Sequence, residues 1–362
     1  MRRLRAPGIP NRTILYYPTI SVPTSSWLRQ ALLYWDQVAS IVPGDLDESA
    51  EFYTPDVQYL QSVDQFRPID PHELFSHESG SVQRVRQFEE DFLAKLTSPL
   101  FAGYLGERSH WLLDSAIHAD KISCTMYEHL ASLGLAREDS SMEDWYLFER
   151  KTALLYMSVL AVHLADLDVQ STVPGTDRRD YEGFAYDASS REGYACLDIR
   201  FGDVLPIPTD DVPLADIVGF KERHRDDLLG FRMEVQQFQE KLWQSRDEGD
   251  VKDAAASFGE RMEKALSDLA SVLHGDRILT KAGCLKTIMN AKFTLALGMG
   301  TTVSEATQII HIPTNLILPA LAVSGAIEVG YHLIDEATQK RAALRDSPFA
   351  YLYHAQAEGL IP

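Results

Sequence analysis

The residues whose types and spacing best suit chemistry are His110, Asp114 and His118. On a helix, residues four apart stack on one face, so two imidazoles would flank a carboxylate. That is a ligand set for zinc, manganese or iron. A single helix offers too few ligands, so a further donor from elsewhere in the chain would be needed. The competing reading is a partly exposed helix face on which Asp114 pairs with Lys121. In His72-Glu-Leu-Phe-Ser-His77 the two histidines are five apart, which rotates them off a common helical face. Arg178 and Arg179, inside Thr176-Asp-Arg-Arg-Asp-Tyr-Glu182, have the fork geometry that grips a carboxylate or phosphate, although most loop charges are simply solvated. His224 falls on an apolar helical seam, where a polar residue more often fixes register than acts as a base.

Motifs tied to known mechanisms are missing. There is no phosphate-cradling G-x-x-x-x-G-K-[ST] or G-x-G-x-x-G loop, and Gly298-Met-Gly300 lacks a preceding strand and a third glycine. The nucleophile elbow G-x-S-x-G, the zinc pair H-E-x-x-H and the calcium loop are absent too. The sequence thus names no catalytic or cofactor-binding residue. No cofactor is expected, with a divalent metal at His110, Asp114 and His118 as the alternative. Three dispersed cysteines, Cys124, Cys196 and Cys284, form no C-x-x-C pair, which fits a reducing cytoplasm. With 53 acidic against 34 basic residues the net charge is −19, a field that repels phosphate backbones and argues against bulk nucleic-acid binding.

The elements that must position these residues read as mainly helical. Residues 1–12 hold Arg2, Arg3 and Arg5 ahead of Pro7 and Pro10 and read as a mobile tail. Over 13–70, Thr13-Ile-Leu-Tyr-Tyr17, Val38-Ala-Ser-Ile-Val42 and Gln65-Phe-Arg67 read as strands. They alternate with helices that begin near Ser25 and Thr54, giving a small β/α unit. From Asp70-Pro71 to 169, apolar stripes over 81–96, 108–133 and 141–167 predict a helical bundle. Residues 170–210, broken by Pro174, Gly175, Gly183 and Gly193, read as an irregular linker with a short strand around Ala195, Leu197 and Ile199.

Residues 211–362 predict a helical hairpin followed by apolar helices. Its first seam runs through Ile217, Phe220, His224, Leu228, Phe231, Val235, Phe238 and Leu242 in coiled-coil spacing. Its second runs through Phe258, Met262, Leu266, Leu269 and Leu273. Residues 306–327 carry no charge, long enough to raise the question of a membrane span. Pro313, Asn315, His311 and Pro319 favour burial in the bundle instead, and a membrane contact is expected only if residues 306–334 emerge. The fold class is thus mainly α: a helical bundle with a long antiparallel helical hairpin and a small N-terminal β/α unit.

Scattered stretches resemble an uncharacterised bacterial protein family with no assigned activity. They include Leu15-Tyr-Tyr-Pro18, Leu33-Tyr-Trp-Asp36, Tyr156-Met157, Phe220-Lys-Glu-Arg-His224 and Ser347-Pro-Phe-Ala-Tyr-Leu352. The resemblance implies a stand-alone cytoplasmic bacterial protein of an accessory or defence-related system, and brings no catalytic motif with it. A strong seam beside absent catalytic motifs points to a protein that binds a partner or itself. The alternatives are a metal-dependent hydrolase or nuclease and a triggered membrane-acting effector.

Overall fold

The computed structural model describes residues 12–44, 53–75, 81–98, 101, 113–168, 171–177, 207–244, 257–258, 260–261, 264–265, 344 and 347–361. In chain order the strands are β1 (Arg12–Tyr16), β2 (Gln37–Ile41), β3 (Phe66–Ile69), β4 (Leu113–His118), β5 (Ala136–Glu138), β6 (Trp145–Glu149) and β7 (Ser171–Gly175). The helices are α1 (Ser26–Tyr34), α2 (Pro55–Ser62), α3 (His72–Phe75), α4 (Ser81–Leu96), α5 (Cys124–Ser132), α6 (Arg150–Leu167), α7 (Leu214–Arg223), α8 (Arg225–Gln244) and α9 (Ala350–Ala357). The chain divides into one unit of Met1–Arg223 with Leu360–Pro362 and a second of His224–Gly359.

The first unit overturns the mainly helical expectation: it is mixed α/β, built on two sheets. Strands β3-β2-β1-β7 pair in parallel, with Leu15 opposite Ala39 on one side and Pro174 on the other. The two outer strands, β3 and β7, each carry a proline, Pro68 and Pro174, and an edge is where a missing N–H does no harm. Residues 171–175 therefore belong to the sheet, although Pro174-Gly175 reads as a linker in sequence. Gly175 is needed there, because a Cβ would lie 2.4 Å from Ile14 Cγ1 and 3.1 Å from Trp27 Cζ2.

The expected bundle over 71–169 holds a second, antiparallel sheet, β4-β6-β5. Residues 113–118 alternate between half-buried and exposed before turning inward at Ile117 and His118, the period of a strand. Trp145-Tyr-Leu-Phe148 is aromatic-rich, which suits a strand more than the start of a helix. Between them α5 starts at Ser123, whose Oγ accepts from Met126 N at 3.2 Å. It stops at Gly134, where φ is +73° and Leu135 N reaches back to Leu130 O at 2.9 Å.

Helix α6 is buried on nearly every face, from Thr152 to Ala161 and again at Leu164 and Ala165. Its N-cap is Glu149, whose carboxylate accepts from Lys151 N (3.0 Å), Thr152 N (2.8 Å) and Thr152 Oγ1 (2.8 Å). Tyr156 packs edge-on against Phe88 and Phe92 of α4, joining this helix to Leu15, Ala39 and Ile41 of the parallel sheet in one core. Helix α7 is fastened to the end of α1 by the buried Lys221, whose Nζ donates to Trp35 O at 2.8 Å and Asp36 O at 3.1 Å.

In the second unit Leu228, Phe231, Val235 and Phe238 of α8 are buried. Phe238 stacks on Phe258 at 4.4 Å, Glu234 pairs with Arg261 at 2.5 Å, and Phe231 meets Phe349 and Tyr351 at the start of α9. The two contacts to 258 and 261 run in opposite sense along the chain, as in an antiparallel helix pair. Among the described residues, no helix is long and apolar enough to cross a membrane. Residues 306–334 and the strand expected near 195–199 lie outside the described residues.

Candidate metal centre

His224 is the single residue between α7 and α8. Its carbonyl accepts from Leu228 N at 2.9 Å, which makes it the N-cap of α8. The first turn of α8 carries Asp226 and Asp227, acidic residues that the positive end of a helix favours. The turn brings His224 and Asp227 together: Nδ1 lies 3.2 Å from Asp227 Oδ2. From α9, His354 sets its Nε2 3.8 Å from the same oxygen. The two imidazoles lie face to face, centroids 4.2 Å apart and planes inclined by 27°. One turn beyond His354, Glu358 places Oε1 2.8 Å from His224 Nε2.

One donor atom each from His224, Asp227 and His354 thus falls within 4.8 Å of the others. Two ligands each about 2.1 Å from a tetrahedral ion stand about 3.4 Å apart, and the 3.2 Å and 3.8 Å separations from Asp227 bracket that figure. Two imidazole nitrogens with one carboxylate oxygen suit zinc, iron, manganese or cobalt better than magnesium or calcium, which favour all-oxygen shells. The side chains of His224, Asp227 and His354 are 17%, 28% and 21% exposed, so the group is sheltered yet reachable from solvent. Partial burial lowers the His354 pKa, and the neighbouring His224 lowers it further, against the pull of Asp227 and Glu358. A neutral imidazole with a free lone pair is what a metal requires.

Of the residues proposed from sequence spacing, Asp114 and His118 are not among these donors. Asp114 and His118 are both on β4, not on a helix, and a strand separates positions four apart by about 13 Å. Asp114 is exposed whereas His118 is buried, its Nδ1 accepting from Asp120 N at 3.3 Å and its ring edge-on to Trp145. His118 is therefore a turn cap. His110, Arg178 and Arg179 lie outside the described residues. His224, expected to fix seam register, instead sits at the helix start with both nitrogens facing carboxylates. The only sequence traces of the centre are the short steps His224-x-x-Asp227 and His354-x-x-x-Glu358, and nothing in the 126 residues between them signals that they meet.

A family of unknown function, DUF6236, matches residues 149–359, well over half the chain. The chain belongs to that family. The match spans all four residues of the cluster and confirms the resemblance to an uncharacterised family. No curated protein and no solved structure matches the chain.

Proposed function

We propose that His224, Asp227 and His354 hold a divalent transition-metal ion and that the protein is a metal-dependent hydrolytic enzyme of the cytoplasm. The observation that carries this reading is the convergence of two imidazole nitrogens on one carboxylate oxygen, from helices more than a hundred residues apart. An ion held by three protein ligands keeps open positions, where it supplies Lewis acidity and acidifies a bound water. Within the chain, Asp227 offers the anionic oxygen common to both histidines, and the N-terminus of α8 stabilises that charge. The cytoplasmic location rests on the dispersed cysteines.

Association with a partner or a second copy through the α8 seam draws no support from that seam, because Leu228, Phe231, Val235 and Phe238 are already buried.

The deciding experiment is elemental analysis of protein purified without chelator, as wild type, Asp227→Asn and His354→Ala. Near-stoichiometric metal in the wild type and less than about a tenth of it in either variant is expected, since each loses one of three ligands. Chromogenic ester and phosphodiester substrates should be turned over only by the metal-loaded wild type. Equal metal content in all three proteins would end the reading.

A further inference from the structure

His224 poses a problem of proton placement. Its Nδ1 lies 3.2 Å from Asp227 Oδ2 and its Nε2 2.8 Å from Glu358 Oε1, so both nitrogens face carboxylate oxygens that only accept. A neutral imidazole carries one proton and can satisfy only one of them. The other contact then needs either a second ring proton, which makes the imidazole a cation donating to both carboxylates, or a metal ion between nitrogen and oxygen.

Resting on the metal reading above, we propose that Glu358 is a positioning residue that holds His224 in the Nε2–H form and so delivers Nδ1 to the ion. Three observations place the proton and the ion on these sides. The 2.8 Å contact to Glu358 has the length of a charge-assisted N–H···O bond. The Asp227 side is looser, at 3.2 Å, and His354 Nε2 also approaches there, so two nitrogens and an oxygen converge. Glu358 also follows the last residue of α9, where the negative end of a helix disfavours a carboxylate, and the proton from His224 offsets that penalty. His354 and Glu358 are one turn apart on the same face. A single helix thus supplies one ligand directly and orients the other through a hydrogen bond, the carboxylate–histidine–metal arrangement that fixes a tautomer and raises ligand basicity.

The test uses the full-length chain as wild type, Glu358→Gln, Glu358→Ala and His354→Ala. Zinc affinity is read by competition with a chromophoric chelator, and the His224 tautomer by ¹⁵N NMR of the metal-free and zinc-loaded proteins. We expect Glu358→Ala to weaken zinc binding by about 10–100-fold and to abolish the Nε2–H preference. Glu358→Gln, whose amide oxygen still accepts the proton, should restore most of both. A structural defect alone would not be rescued by the amide, nor would it show in the tautomer. Zinc affinity unchanged in Glu358→Ala, or a zinc-loaded wild type with metal on Nε2, overturns the positioning role while leaving the three-ligand site intact. Equal zinc affinity in wild type and His354→Ala removes the metal reading itself, and the positioning role falls with it.

Discussion

At the scale of single residues, the least expected side chain is Lys121, which ends the 3₁₀ turn after β4 and is only 4% exposed. Its carbonyl accepts from the Tyr156 hydroxyl at 2.8 Å, but among the described residues its amine meets no acceptor. Desolvation alone pulls its pKa down from 10.5 to about 7. Because the folded-state pKa is depressed, the folded chain sheds this proton while the unfolded chain still holds it between pH 7 and 10.5. Stability therefore rises with pH across that window, and the full cost is felt below it. A Lys121→Met variant should be more stable than wild type at pH 6, by an amount on the order of a few kcal/mol, since each pKa unit is worth about 1.4 kcal/mol. Urea unfolding at pH 6, 7.5 and 9 should show that advantage shrinking as pH rises, and a gap independent of pH would mean the amine has found a partner.

At the scale of elements, β7 shows how the parallel sheet is closed at its β1 side. Since a Cβ at Gly175 would strike the buried Ile14 and crowd Trp27, Gly175→Ala should destabilise the first unit by about 1–3 kcal/mol, the usual cost of overpacking. Urea unfolding measures this directly, and a variant as stable as wild type would argue that 171–175 hangs free, as a linker would. The strands β1, β2 and β3 were legible, because short β-branched and aromatic runs alternate there with capped helices. β7 was hidden because its Pro174-Gly175 pair imitates a chain break, and an edge strand tolerates what a central strand would not. β4 and β6 were hidden for another reason: over short spans their apolar residues also fit a helical stripe, and only cross-strand pairing such as Ile117 with Tyr146 resolves the ambiguity. The candidate metal centre was the least legible feature, since its donors come from helix ends far apart in sequence and no local spacing encodes their meeting.

At the scale of the whole molecule, the charge of −19 acts on cations and polyanions in opposite ways. A net negative field concentrates divalent cations and repels polyanions, so added salt should weaken capture of the proposed ion. With the proposed ligands spread over His224, Asp227 and His354, an ion held there would bind only when α8 and α9 are folded together, and its binding free energy would become folding free energy. At a free-ion concentration 100-fold above its dissociation constant the expected gain is about 2.7 kcal/mol. Thermal unfolding with zinc added to chelator-treated protein should therefore show an upward shift in Tm that grows with the logarithm of zinc. The His354→Ala variant should lose most of that shift, and magnesium should reproduce little of it in the wild type, since hard cations disfavour imidazole ligands. A zinc shift of equal size in His354→Ala would place the stabilising ion elsewhere, on the acidic surface, and would separate general charge neutralisation from a built coordination site.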